Sequence, residues 1–226
     1  MFYFDPLYLI FISPALILAL WAQLRVKMAY ASAQGMPAPL SGAAAARHVL
    51  DSAGLTGVEI EMVPGHLSDH YDPREKVLRL SSEVYQSRSL AAVGIAAHEA
   101  GHAIQDARAY APLVVRNAAV PVAGFGSGAF FILLILGLAL QVPWLIWAGI
   151  IAFSGIVLFQ VVNLPVEFNA SARAKAQLVE LGIVPADQMV YVNKVLNAAA
   201  LTYVAATLQA ILTLLYYIMR FSGSRD

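Results

Sequence analysis

Residues 96–107, AAHEAGHAIQDA, place His98 and His102 four positions apart with Glu99 directly after the first. A helical residue advances about 100°, so histidines four apart sit about 40° from each other and can turn ring nitrogens toward one ion. Leu90, Val93, Ala97, Ala100 and Ile104 recur at helical spacing and form an apolar stripe, which predicts a helix over 89–107 that faces a core. Glu99 flanks the pair. It is too close to His98 to be a comfortable ligand beside it, but it can reach a water at the metal and take its proton. The plainer reading is a pair of solvated or hydrogen-bonded helix histidines. Against it, two of only five histidines share one helical face, and Gly101 and neighbouring alanines keep bulk away from the metal. A catalytic zinc needs a third protein ligand and an open fourth position. A ligand from a different helix is the geometry that closes a three-point site, so the stretch bears on the architecture.

The surroundings are those of a membrane protein. The chain has 226 residues, of which 60% are hydrophobic and 12% charged, with a mean hydropathy of +0.69; ordinary soluble domains are more polar. Its formal net charge is zero, which gives no global signature of nucleic-acid binding. Cysteine is absent, so disulfides, thiolate ligands and cysteine nucleophiles are excluded and any metal is held by His, Asp or Glu.

Apolar runs at 7–24, 118–140, 144–164 and 198–219 are long enough, or nearly so, for a bilayer core of about 30 Å. The first contains Pro14, which predicts a kink. A cleaved signal peptide is the other reading of that run, but no basic residue precedes it and Arg25 and Lys27 follow it, the polarity of a retained anchor with its N-terminus outside. Four spans put loops 25–117 and 165–197 on one side, with both termini and the turn 141–143 on the other. Twelve of the fourteen basic residues lie on the two-loop side, and only Arg220 and Arg225 lie opposite. The positive-inside rule therefore predicts cytoplasmic loops, outside termini and a multi-pass protein of the bacterial inner membrane.

Five segments are expected: an anchor at 1–28, a small α+β cytoplasmic domain of zincin type at 29–117, a two-helix membrane hairpin at 118–164, a cytoplasmic helical segment at 165–197, and a final span with its tail at 198–226. The fold class is thus mainly α, with four transmembrane helices and the small α+β domain. Residues 28–40 read as a linker. Ser41 is a plausible N-cap and Gly54 a stop for the helix that follows. Residues 58–63 alternate as a strand, 64–73 are dense in turn formers, and 76–80 read as a second strand. Residues 165–182 read as a separate helix, with Pro165 at its first position and Gly182 at its end. Gly124 and Gly128 have the small-xxx-small spacing suited to a helix partner, so this face is expected to meet a second copy or another membrane protein.

Candidates for the third ligand are Glu167, Asp106, Asp69, Asp72, His66 and His70. Asp106, one turn beyond His102, is better placed to orient an imidazole than to bind. Glu167 sits on the correct side and on another helix, but as third residue of a helix begun by Pro165 it would equally complement the helix N-terminus. Spacing leaves this choice open. His70 or Tyr71, in the turn 68–73, is a candidate donor to a tetrahedral oxyanion.

The segments DHYDPREKVLRLSSEVY, AAVGIAAHEAGHAIQDA and LPVEFNASARA together resemble the YugP-type bacterial membrane neutral zinc metallopeptidases, over nearly the whole chain and including the four spans. A glutamate followed by a small-residue helix after a late span is more distantly similar to HtpX-type proteases and to gluzincins. The resemblance implies His98, His102 and Glu167 as ligands of one zinc per chain, with Glu99 as base. One departure is Ser171, where HtpX-type sequences carry an aspartate four after the ligand glutamate.

The expectation is a membrane-embedded zinc endopeptidase acting at the cytoplasmic membrane surface on membrane-associated or unfolded protein substrates. If the strand Lys76, Val77, Leu78, Arg79, Leu80 is a sheet edge, it could bind extended substrate by strand addition. A non-catalytic adaptor stapled by zinc is the alternative, but Glu99 has no purpose in a structural site. A transporter is disfavoured because the spans hold almost no ionisable residue.

Overall fold

The computed structural model describes residues 5–66 and 68–223; Arg225, counted above in the charge asymmetry, lies outside them. Four helices are long and apolar enough to cross a membrane: α1 (Pro6–Gln34), α5 (Ala111–Ala139), α6 (Pro143–Glu180) and α7 (Met189–Ser222). Between α1 and α5 lie α2 (Gly42–Ser52), β1 (Glu59–Val63), β2 (His70–Asp72), β3 (Val77–Ser81), α3 (Ser82–Gln86) and α4 (Leu90–Ala107). Large apolar side chains such as Ile10, Ile17, Phe125, Trp144 and Ile151 stand exposed on the four long helices, the belt that lipid covers.

Each long helix overruns its apolar segment. Helix α1 continues to Gln34, so the first half of the expected linker is helical, consistent with its Ala and Gln content. Pro165 does not begin a helix but lies inside the 38-residue α6. Proline there removes one donor and leaves the Val161 carbonyl without its usual partner, a defect that a membrane-associated helix packed among neighbours tolerates. Third span and ligand-bearing segment are therefore one rod.

The bundle is two pairs, α1 with α7 and α5 with α6, joined by contact of α6 with α7. The α5–α6 approach is set by small residues: Gly126 lies against the Ala152 backbone and Gly149 against the Phe130 carbonyl. A Cβ at Gly124 or Gly128 would meet none of the described residues within 4 Å.

Ser41 caps α2 as expected, accepting from the Ala44 amide, and Ser89 likewise caps α4, accepting from the Ala92 amide. Gly54 and Gly182 follow helix ends at φ +76° and +62°, a left-handed conformation that glycine adopts without Cβ strain.

The sheet differs from expectation. Residues 70–72, read as turn, form a short strand, and the order is β1-β3-β2, with β1 parallel and β2 antiparallel to β3. The strand proposed as a sheet edge is thus the central one. Lys76 lies before it in the turn from β2, at φ +54°, and Val77, Leu78 and Leu80 are buried. Arg79 is held by Glu61, Glu75 and Asp72. Val77, Leu78 and Arg79 are flanked by β1 on one side and β2 on the other, and Leu80 pairs with Met62 of β1, so the strand is not the open edge that strand addition needs. A connection that returns as a hairpin claims the second edge, which alternation alone does not reveal.

Buried side chains from α2, β3 and α4 form one core with Leu178 of α6, Val184 beyond it, and Val192 and Leu196 of α7. The small domain is therefore built onto the membrane helices' ends. That shared core places α4 against α6.

Candidate metal centre

Helix α4 presents its apolar stripe to this core: Leu90, Val93, Ala97, Ala100 and Ile104 are all buried. Its adjoining face meets α6 at very short range. A Cβ at Gly101 would stand 2.7 Å from the Ala170 carbonyl oxygen, so glycine is required for the approach and its purpose is helix contact more than clearance around a metal. With the helices this close, His98, His102 and Glu167 converge, one ligand atom of each lying within 4.8 Å of the others. Glu167 Oε2 is 3.3 Å from His98 Nε2 and 3.7 Å from His102 Nε2.

The remaining ring nitrogens are occupied. His102 Nδ1 is 3.0 Å from Gln105 Oε1, and the orientation of that amide is fixed because its Nε2 donates to the Val166 carbonyl at 2.8 Å and to Asn169 Oδ1 at 3.0 Å. A carbonyl oxygen only accepts, so His102 Nδ1 carries the proton and Nε2 presents a lone pair in the neutral ring. His98 Nδ1 lies 3.1 Å from Ser171 Oγ, which allows the same tautomer. Both Nε2 atoms thus face Glu167, whose Oε2 is buried without a hydrogen-bond partner among the described residues. Two imidazole lone pairs and an orphaned carboxylate oxygen are a donor set that fits zinc, with ring orientation supplied from behind the ligands.

Burial pushes the Glu167 carboxyl up, but with the two rings protonated the N–H groups and charge of His102 and His98 outweigh it and hold the group well below the carboxylate range. Burial pushes Glu99 up, against the lowering effect of the two histidines, the direction that makes a carboxylate a better proton acceptor near neutral pH. A cleft of about 390 Å³ exposes His98 and Glu99, with walls from Val26 and Tyr30 of α1, Asp69 and Ile95, and Leu196, Ala199, Thr202 and Tyr203 of α7.

The other sequence candidates are committed to other partners. Asp106 does not orient a histidine but accepts from the Tyr71 hydroxyl at 2.9 Å; Gln105, one position earlier, occupies the place assigned to it. Burial and Asp106 keep the Tyr71 phenol protonated, and its only donor is committed to that bond. His70 is exposed, its Nδ1 2.8 Å from the Ser68 carbonyl, and neither His70 nor Tyr71 lines the cleft. His66 pairs with Glu83, Asp72 with Arg79, and Asp69 accepts from the Ser81 amide and hydroxyl. Glu167 is mid-helix, which removes the helix-terminus explanation for it. Gln105, Ser171, Asn169 and Tyr203 were missed. The i, i+3 spacing of His102 and Gln105 was the one available signal.

The family described as "Putative neutral zinc metallopeptidase" matches residues 8–222 of this chain. A curated relative, "Putative membrane protease YugP" of Bacillus subtilis (strain 168), is 46% identical over 214 residues, covering 94% of this chain and 95% of the relative. No solved structure matches.

Proposed function

The chain belongs to the neutral zinc metallopeptidase family, and from that premise we propose that it is a membrane-embedded, gluzincin-like endopeptidase that cuts membrane-associated or unfolded proteins at the cytoplasmic membrane surface. The observation that carries this reading is the convergence of His98, His102 and Glu167, with His98 and Glu99 lining a cleft. His98, His102 and Glu167 would hold one zinc ion, which when bound would supply the Lewis acidity that polarises a carbonyl and acidifies water. Glu99 removes the proton of the attacking water and returns it to the departing amine nitrogen as the peptide bond breaks. Gln105 keeps His102 in the ligating tautomer, and Ser171 permits the same tautomer for His98.

Location supplies selectivity. Glu167 is three residues past the apolar run that ends at Leu164, on the same helix, hence about 5 Å along its axis. A scissile bond at the metal is therefore close to the bilayer, and extended juxtamembrane segments of tethered proteins reach it more readily than free chains. The twelve basic residues on the two-loop side support a cytoplasmic position.

The test uses purified full-length protein in lipid, with zinc content measured and one cleavable sequence offered either fused to a transmembrane helix or free. The parent should contain one zinc and cut the tethered form faster. Glu99→Gln should keep zinc and lose turnover by about 10²-fold or more, the usual contribution of a positioned base. Equal turnover in parent and variant would overturn the mechanism; equal cutting of both substrate forms would overturn the selectivity.

A further inference from the structure

The four long helices do not close into a ring. Helix α7 packs on α1 and on α6, and α6 on α5, but α1 makes no comparable contact with α5 or α6 among the described residues. A groove is left between the two pairs, with α7 as its floor, Tyr8 of α1 on one wall, and Phe131 of α5 and Gln160 of α6 on the other. Its cavity of about 330 Å³ is too small for a whole helix but seats side chains of one lying along its mouth.

This groove continues the metal cleft. Ala199, Thr202 and Tyr203 line the cleft, and Ala206, Gln209, Ala210 and Thr213 line the groove; the two sets follow one another at the three- and four-residue steps of a single face of α7. On α6, Gln160 lies seven residues before Glu167, hence about 10 Å along the axis from the proposed metal ligand.

The polar chemistry of the groove separates it from the surface that lipid covers. Within the spans, Ser13, Ser127, Ser154 and Thr207 return their hydroxyls to carbonyls of their own helices. Gln160 and Gln209 do not: their half-buried side-chain amides face the groove and make no hydrogen bond among the described residues. Gln209 stands midway along the fourth apolar run, where an unpaired amide is costly. A lipid acyl chain offers such a group nothing. A transmembrane helix with a polar side chain offers both a donor and an acceptor.

We propose that the groove docks the transmembrane segment of a tethered substrate, with Gln160 and Gln209 hydrogen-bonding to a polar residue of that segment, so that its juxtamembrane end is delivered to the metal cleft. This inference rests on the endopeptidase reading. It adds a recognition element to location, because tethered chains are then distinguished from one another by what their membrane helices carry. The 10 Å from Gln160 to the ligand is spanned by about three extended residues, so a seated helix needs to unwind by no more than its last turn.

The absence of cysteine makes docking directly readable. Ala206→Cys on the groove floor and Phe125→Cys, at a side chain that stands out from α5, are made singly in full-length Glu99→Gln protein in lipid vesicles. The probe is a Leu/Ala transmembrane helix with one mid-bilayer Asn and a cysteine one turn away, fused to a cleavable juxtamembrane sequence. It should cross-link at Ala206→Cys and not above background at Phe125→Cys. In the parent enzyme the same fusion should show a KM about three- to tenfold below that of a fusion with Leu in place of the Asn, at equal kcat, the size of one interhelical hydrogen bond. Gln160→Leu combined with Gln209→Leu should erase that difference while zinc content stays parental. Absence of a cross-link at Ala206→Cys, as a lipid-filled groove would give, overturns the proposal, as do cross-links there only between two copies of the enzyme, equal cross-linking at both cysteines, or an Asn preference that survives the double substitution. A protein that cross-links the helix at Ala206→Cys while the parent cuts neither fusion instead overturns the endopeptidase reading, and the groove is then not a substrate site.

Discussion

The two ends of α6 achieve close packing by the same means and differ in everything else. In its membrane half, Gly149 and Ala152 receive α5, with Gly126 of α5 against the Ala152 backbone, and the cluster there is Phe130, Leu134, Ile146 and Ile150. In its other half, Gly101 of α4 meets Ala170 at similar range, but the contact is threaded by Gln105, Asn169, Arg173 and Ser171. A hydrocarbon-facing interface needs only small residues and dispersion. An interface that carries a metal must also satisfy every polar atom it buries. The lesson is that helix proximity is common to both ends, while the donor network belongs to one.

The hardest blow to that contrast is Glu167→Ala, which removes one of the three proposed ligands. It should abolish stoichiometric zinc after dialysis, measured by metal analysis, and leave the membrane hairpin intact by circular dichroism; full zinc retention would place the third ligand elsewhere. Next come the paired glycines. Alanine gains about 1 kcal/mol of helix propensity over glycine, but at Gly101 and at Gly126 the added methyl meets a backbone carbonyl that cannot rotate away, at a cost of about 1–3 kcal/mol. Both variants should be less thermally stable than the parent, yet only Gly101→Ala should bind zinc more weakly. Loss of zinc in both would mean that the two ends of α6 are not independent.

A smaller effect separates the residues behind the ligands. Gln105→Ala should weaken zinc binding by about 10–100-fold, whereas Asp106→Asn, which touches Tyr71 and no histidine, should leave it within about threefold by competition with a chelator. The reverse order would return the orienting function to Asp106.

Much of this was legible beforehand for a definite reason. Helical periodicity and apolar run length are local properties, so the four spans, the capping Ser41, the glycine stops, the pairing of His98 with His102 and the place of Glu99 beside them can be read from neighbours within a few residues. Strand presence was equally local, but strand order was not: Val77–Ser81 has the same alternation whether central or at an edge, and only the return of His70–Asp72 along its flank decides which. Pro165 misled because a proline after an apolar run has two outcomes, a helix start or a tolerated defect, and neighbouring helices choose between them.

By itself, then, the sequence determined a membrane protein with a two-histidine helix and a base, since each of those follows from spacing along one element. The tertiary structure decided what stands around them. Glu167 lies 65 positions beyond His102 and Tyr203 lies 101 beyond it, and no period of a helix or strand connects such distances. The packing of α4 on α6 through Gly101 brings Glu167 to the histidines, that of α7 on both brings Tyr203 to the cleft, and only those contacts leave Gln105 and Ser171 facing the ring nitrogens.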